Sequence, residues 1–411
     1  MPIDPWLPRA AARRPDRVAV EGPEGSLTYA QLLAAARFEL APGSRVALAL
    51  PPGLDFAVAL HACLLARAAA MPVDPRLAAR EREALLATAD AIVDAPLTAT
   101  GAASPTATTG APPLAPREHD VALVVHSSGT TAAPRPVELT FGNVQASALG
   151  SAVALGLDPG ERWLCPLPLS HVGGLMVLLR SAIYATTAVL GPAERATGAD
   201  VTLASLVPTQ LLRLLDSGAR PGRRLRTILL GGAAATPSLL ERARDAGWPV
   251  TPTYGLTQAC SQVTVAGHPL PGLAVTLAED GEILVEGPTV AGGGVLRTGD
   301  LGRLDDRGRL VVIGRRSDTI VTGGENVAPA EVEAALLEHP AVADAAAFGR
   351  PDEQWGEAVT ASVVLRGPAD PEELRRWCGE RLAPFKVPKV VQTAESLPRT
   401  PSGKLLRREL T

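Results

Sequence analysis

Apolar runs of strand length alternate with helical patterns over the first part of the chain. RVALAL (45–50) leads into a helical run over 54–70, and VALVVH (121–126) leads into a loop of Gly, Ser and Thr. VTLASLV (201–207) precedes PTQLLRLLDSG, which Gly218 is placed to cap. RTILL (226–230) precedes a helix that Thr236-Pro237 opens and that ends near Gly247. Continuous apolar strands set between helices predict a parallel sheet covered on both faces. The stretch 95–116 is rich in Ala, Thr, Pro and Gly and predicts a mobile surface connection. After about residue 265 short strands such as GEILVEG and GRLVVIG appear, with tight Gly and Asp turns. They predict a smaller β-rich piece that closes the large domain. From about 315 a compact α+β module follows, with helices near 329–338 and 371–382 and strands near 342–348 and 357–365.

Composition narrows the class. The chain has 411 residues, 46% of them hydrophobic, enough for two or more domains. A net charge of −4, with arginines interspersed among acids, gives no electrostatic footprint for nucleic acid. The cysteines at 63, 165, 260 and 378 form no CxxC pair, so neither a zinc site nor a disulfide framework is expected. The N-terminus lacks a signal-peptide core. The most apolar stretch, 54–73, is broken by Asp55, His61 and Arg67 and reads as a buried helix, with no membrane span. The expectation is a soluble cytoplasmic protein.

Three segments carry candidate chemistry. HSSGTTAAPRPV (126–137) follows a buried-type strand. Its hydroxyls at Ser127, Ser128, Thr130 and Thr131, the small Gly129 and the charge of Arg135 suit phosphate oxygens, although no Walker A spacing is present. RTGDLG (297–302) offers Asp300, whose carboxylate can accept from both hydroxyls of a ribose, with Arg315 close in sequence as a fork of donors. LPRTPSGKLLRREL (397–410) offers Lys404, a compact cation suited to a phosphoryl group under attack. Taken singly, each also reads as an ordinary loop, turn or solvated residue.

Together with LPLSHVGGL, LLGGAAA, TYGLTQ and GRRSDTIVTGGENVAPAEVE, these pieces resemble, in order, the adenylate-forming superfamily of acyl-CoA synthetases, luciferases and adenylation domains. The resemblance implies an α/β fold. A large N-terminal domain of parallel sheets and helices with a β-rich closing subdomain (1–313) is joined by a hinge to a small α+β C-terminal domain (314–411). It implies ATP, Mg²⁺ and coenzyme A as cofactors and a small carboxylic acid as substrate, with a homodimer left open. The acid attacks the α-phosphate of ATP to give an acyl-adenylate and pyrophosphate, and a thiol then displaces AMP.

By the same resemblance the loop Ser127 to Arg135 holds the β- and γ-phosphates. Gly231, Gly232 and Ala233 line the adenine and acyl sites, Tyr254 and Gly255 face the adenine, and Thr257 reaches the α-phosphate. Asp300 and Arg315 hold the ribose, and Lys404 bridges the two reacting anions. His171 lies near the acyl and thiol tunnels. Ser317 is the hinge, about which Gly323 and Gly324 swing toward the pantetheine arm.

There are four departures from the pattern: Ala132 for glycine, Arg135 for lysine, a short connection Ala291 to Leu296, and Gln258 for the glutamate that binds magnesium. The last is chemically the sharpest, since Mg²⁺ prefers anionic oxygen.

The run TYGLTQACSQVT is similar to that of one branch, the o-succinylbenzoate–CoA ligases of menaquinone biosynthesis. On that reading the acyl pocket includes Ser170, His171, Gly173, Gly174, Gly232, Ser261 and Gln262. Arg180 stands as either a partner for a second carboxylate or a solvated helix residue. Three alternatives remain open at this point: a ligase for another aryl or fatty acid, a module that loads a carrier protein, and a weakened nucleotide binder.

Overall fold

The computed structural model describes residues 2–97, 115–127, 135–399 and 405–410. The residues Ser128, Gly129, Thr130, Thr131 and Ala132 of the expected phosphate loop, most of the 95–116 connection, and Lys404 therefore lie outside the described residues. The chain divides into two compact units. The first comprises 1–231, 247–274 and 285–296, and the second 232–246, 275–284 and 297–411.

Two sheets build the first unit. One runs in the order Ala91–Val93, Arg45–Leu48, Ala69–Pro72, Val121–Ser127, Arg135–Thr140. Its first four strands are parallel and the last is antiparallel. The other has nine strands, with a parallel centre made of Val250–Leu256, Thr227–Leu230, Leu203–Leu206, Arg162–Cys165, Thr187–Leu190 and Val18–Gly22. Antiparallel hairpins finish both edges. Fully buried runs such as LASL and TILL are what a sheet covered on both faces demands.

The helix Leu54–Ala66 explains the most apolar stretch of the sequence. It packs against strands of both sheets, so it is apolar on every side. It is too short to span a bilayer, and no described helix is long and apolar enough to do so. Elsewhere local chemistry sets helix starts as expected. Thr236 accepts from Leu239 N–H at 3.2 Å with Pro237 in the first turn, and Asp370 accepts from Glu373 N–H at 2.7 Å. Pro208–Asp216 buries Leu211, Leu214 and Leu215 on one face before Gly218 at φ +69.

The second unit holds most of a four-stranded sheet, in the order Ala274–Leu277, Glu282–Glu286, Val295–Leu304, Leu310–Arg315. It also holds a five-stranded sheet with its own core of Ile320, Val332, Leu336, Val359, Val363 and Leu374. There the long hairpin of Val342–Asp352 and Gly356–Leu365 carries the helix Pro329–Leu337, and the helix Pro371–Gly379 packs on that helix and on the strand Val390–Thr393. The two-residue turn Gly323-Gly324 joins Ile320–Thr322 to Glu325–Val327.

Candidate active site

Three candidate segments leave the carboxyl ends of parallel strands in the nine-stranded sheet, the edge where open α/β sheets bind ligands. Ser170 and His171 follow Arg162–Cys165, Gly231 follows Thr227–Leu230, and Thr257 and Gln258 follow Val250–Leu256. In the five-stranded sheet the flanks of the phosphate loop are register partners, Ser127 opposite Arg135, so its two ends are held together.

The turn Thr253 to Gln262 is tightly built. Tyr254 pairs with Thr264, and the ladder shifts register before Gly255 pairs with Gln262. Gly255 is obligatory there, because a Cβ would stand 1.8 Å from the Ser261 carbonyl oxygen. Cys260 and Ser261 follow at φ +53 and +86, two successive non-glycine residues in the left-handed region. Ala291 N–H donates to the Gln258 carbonyl at 2.8 Å, which fixes the turn from the short 291–296 connection. Tyr254, Thr257 and Gln258 are half-buried.

The segment LPLSHVGGL begins the helix Val172–Tyr184, with His171 at its N-cap. Gly174 lets that helix sit on the preceding loop, since a Cβ would lie 2.4 Å from the Pro168 carbonyl oxygen. A distant pair of residues braces the loop. Ser170 Oγ donates to Asp74 Oδ2 at 2.9 Å, from 96 residues away. Arg76 donates to the same carboxylate at 2.6 and 2.8 Å. Burial pushes Asp74 up, but the hydrogen bonds from Arg76 and Ser170 outweigh it and hold the carboxyl well below its usual range. Burial lowers His171 below the ordinary imidazole value, Asp74 opposes that shift and Arg76 reinforces it. His171 is therefore neutral at pH 7, in the form that can accept a proton.

Arg180, on the same helix, is 2% exposed, which excludes the solvated reading. Its Nη2 donates to Ser147 Oγ at 3.2 Å, and its guanidinium lies 5.7 Å from the Trp163 ring centre. Its Nε has no partner among the described residues, and no carboxylate pairs with it there. Burial lowers its pKa. Gln262, 5% exposed, likewise has both side-chain polar atoms unpartnered among the described residues.

In the second unit Asp300 and Arg315 are register partners, with Arg315 Nε 2.9 Å from Asp300 Oδ1. Asp300 is buried while Arg315 keeps part of its fork exposed. Gly232, Ala233, Ser317, Gly323 and Gly324 are exposed, and Ser317 Oγ donates to Asp318 at 3.1 Å.

No group of three or more His, Cys, Asp or Glu stands together to hold a metal among the described residues. Gln258 contributes one neutral amide oxygen. So sparse a donor set would fit a magnesium ion held mainly by the oxygens of a triphosphate.

Residues 7–293 match the family described as AMP-binding enzyme, and residues 331–404 match the AMP-binding enzyme C-terminal domain. The 2-succinylbenzoate–CoA ligase of Bacillus licheniformis is 36% identical, over 98% of this chain and 98% of the relative. The alignment runs over 471 positions, more than this chain's length, so the relative carries stretches that this chain lacks. The o-succinylbenzoate CoA synthetase of Bacillus subtilis, solved with the acyl-adenylate intermediate OSB-AMP, superposes with a TM-score of 0.90 at 34% identity. That match covers 100% of this chain and 98% of the other. The same synthetase solved with ATP and a magnesium ion matches with a TM-score of 0.89 at 33% identity, covering 100% of both chains. The α/β architecture, the strand-end placement of the motifs and these matches lead to one conclusion: the chain belongs to the AMP-binding enzyme family.

Proposed function

We propose that this protein is an AMP-forming acid–CoA ligase whose acid is o-succinylbenzoate. One carboxylate of the acid attacks the α-phosphorus of magnesium-bound ATP, and pyrophosphate leaves. The thiol of coenzyme A then attacks the acyl carbon of the adenylate, AMP leaves, and the thiol proton is released. Family membership and full-length similarity to o-succinylbenzoate synthetases support the reaction. The observation that carries the choice of acid is Arg180. A guanidinium 2% exposed, with one hydroxyl and the Trp163 ring as its partners among the described residues, is costly to bury. A second substrate carboxylate offsets that cost, and o-succinylbenzoate has two.

In this reading Lys404 brings the acid and the α-phosphate together, lowering the barrier by charge and positioning. Ser127, Ser128, Gly129, Thr130, Thr131 and Arg135 cradle the outer phosphates, Thr257 the α-phosphate, and Asp300 with Arg315 the ribose. Ser170, Gly173, Gly174, Ser261 and Gln262 shape the acyl pocket. A neutral His171 is the form suited to take the thiol proton. The module 314–411 turns about Ser317 between the two halves, bringing Gly323 and Gly324 to the pantetheine arm. The protein works in the cytoplasm, where its nucleotide and thiol substrates are held.

The test is pyrophosphate exchange across a panel of acids, with product analysis in the presence of coenzyme A or a holo carrier protein. Exchange and thioester release with o-succinylbenzoate are expected. Exchange confined to fatty or simple aryl acids would overturn the acid, and thioester formed only on the carrier protein would overturn the acceptor.

A further inference from the structure

We propose that Ser147 is a positioning residue for acid selection. It ties the Arg180 guanidinium to the strained Cys260–Ser261 turn and so fixes where the second carboxylate is held. The inference rests on the reading of Arg180 as that carboxylate's partner.

Ser147 lies on the helix Phe141–Leu155 and is completely buried. Arginine has only donors to give, so Ser147 Oγ must accept from Arg180 Nη2 at 3.2 Å. Its single proton is then free for one acceptor, and it goes to the Cys260 carbonyl at 2.7 Å. The direction of both bonds is thus settled by chemistry. A backbone held in the left-handed region at two successive non-glycine residues persists only where its surroundings over-determine it. Ser147 supplies one such constraint from the helix side, and the close approach of Gly255 to the Ser261 carbonyl supplies another. One hydroxyl therefore links the cation, on the helix Val172–Tyr184, to the turn that carries Ser261 and the Gln262 amide, which has no partner among the described residues. Among the described residues Arg180 is left with donors to spare, its Nε included. A serine that only filled space at this position would need neither bond.

The experiment compares two acids: o-succinylbenzoate, and its analogue in which the carboxylate that does not react is replaced by a carboxamide. Ser147→Ala, Ser147→Thr and Arg180→Leu are each assayed by pyrophosphate exchange, with folding read by circular dichroism. For Ser147→Ala the KM for o-succinylbenzoate is expected to rise on the order of tenfold, the loss of one bond to a charged group. Its kcat, its KM for ATP and its KM for the carboxamide should stay near the wild-type values. Ser147→Thr keeps the hydroxyl and should restore the preference. If that variant does not fold, Ser147→Ala decides alone. Equal losses with both acids and with ATP, or no change in any KM, would overturn the positioning role. Arg180→Leu separates the two ideas. If it leaves the ratio between the acids unchanged, the carboxylate reading of Arg180 fails and the proposal fails with it. If it collapses the ratio while Ser147→Ala does not, only the role of Ser147 is lost.

Discussion

Arg315 places its Nε 2.9 Å from Asp300 Oδ1, across the ladder that joins Val295–Leu304 to Leu310–Arg315. The guanidinium thus orients the carboxylate while staying partly exposed itself, which suits the ribose role proposed for the pair. Arg315→Ala should raise the KM for ATP by about tenfold or more, because a buried Asp300 loses the cation that aims it. The KM for the acid should change little. Pyrophosphate exchange with each substrate varied in turn checks this, and equal effects on both would show that Arg315 does not act on the nucleotide.

On the proposed function, Gln258 offers an amide where a magnesium-bound triphosphate would favour a charge. Gln258→Glu should lower the magnesium concentration needed for half-maximal adenylation. A titration of exchange rate against Mg²⁺ reads the effect directly. An unaltered curve would remove Gln258 from the ion's surroundings.

Gly255→Ala forces a methyl group into the Ser261 carbonyl, 1.8 Å from where Cβ must sit. Overpacking of this kind costs about 1–3 kcal/mol, and here the obstacle is backbone rather than a side chain that can turn aside. Urea unfolding should show the loss, together with a collapse of adenylation. A variant of wild-type stability would mean that the strands Val250–Leu256 and Ser261–Val265 part easily.

Asp74 predicts a contribution at the acid end of the stability curve. Burial raises its pKa, the bonds from Arg76 and Ser170 lower it by more, and the folded carboxyl titrates below the unfolded one. Below about pH 4 the unfolded chain therefore binds the extra proton, so stability is present above that pH and falls as acid is added. In Asp74→Asn the acid limb should be shallower than in the wild type. Identical limbs would show that the Asp74 pairing adds nothing to stability.

Much of the fold was legible because its signals are local. Apolar runs fixed the parallel strands, and Thr236-Pro237 marked a helix start that the structure contains. The pairing of Asp300 with Arg315 was approached through a shared sugar, while the ladder that makes them neighbours was not visible. Other parts depend on contacts that leave no local trace. Nothing in MPVDPR announces that Asp74 and Arg76 brace Ser170, 96 residues further on. Ser147 lies in a run of small residues without a motif. Arg180 sits on a helix apolar on all sides, where periodicity cannot tell an inward arginine from an outward one.

The helix Phe141–Leu155 is tied to the Gln258–Gln262 turn by two routes, one direct and one through a neighbouring segment. Near its start the Asn143 amide donates to the carbonyls of Pro288 and Val290 at 2.8 and 3.2 Å. The next residue of that segment, Ala291, holds the Gln258 carbonyl. One helical turn further on, Ser147 holds Cys260. A single rod therefore serves as the common gauge for both routes, to the end proposed to face the nucleotide and to the end proposed to face the acid. Retuning one end by shifting or rotating that rod would misalign the other, so new acid preferences should arise by exchanging side chains upon it and leave its seating untouched.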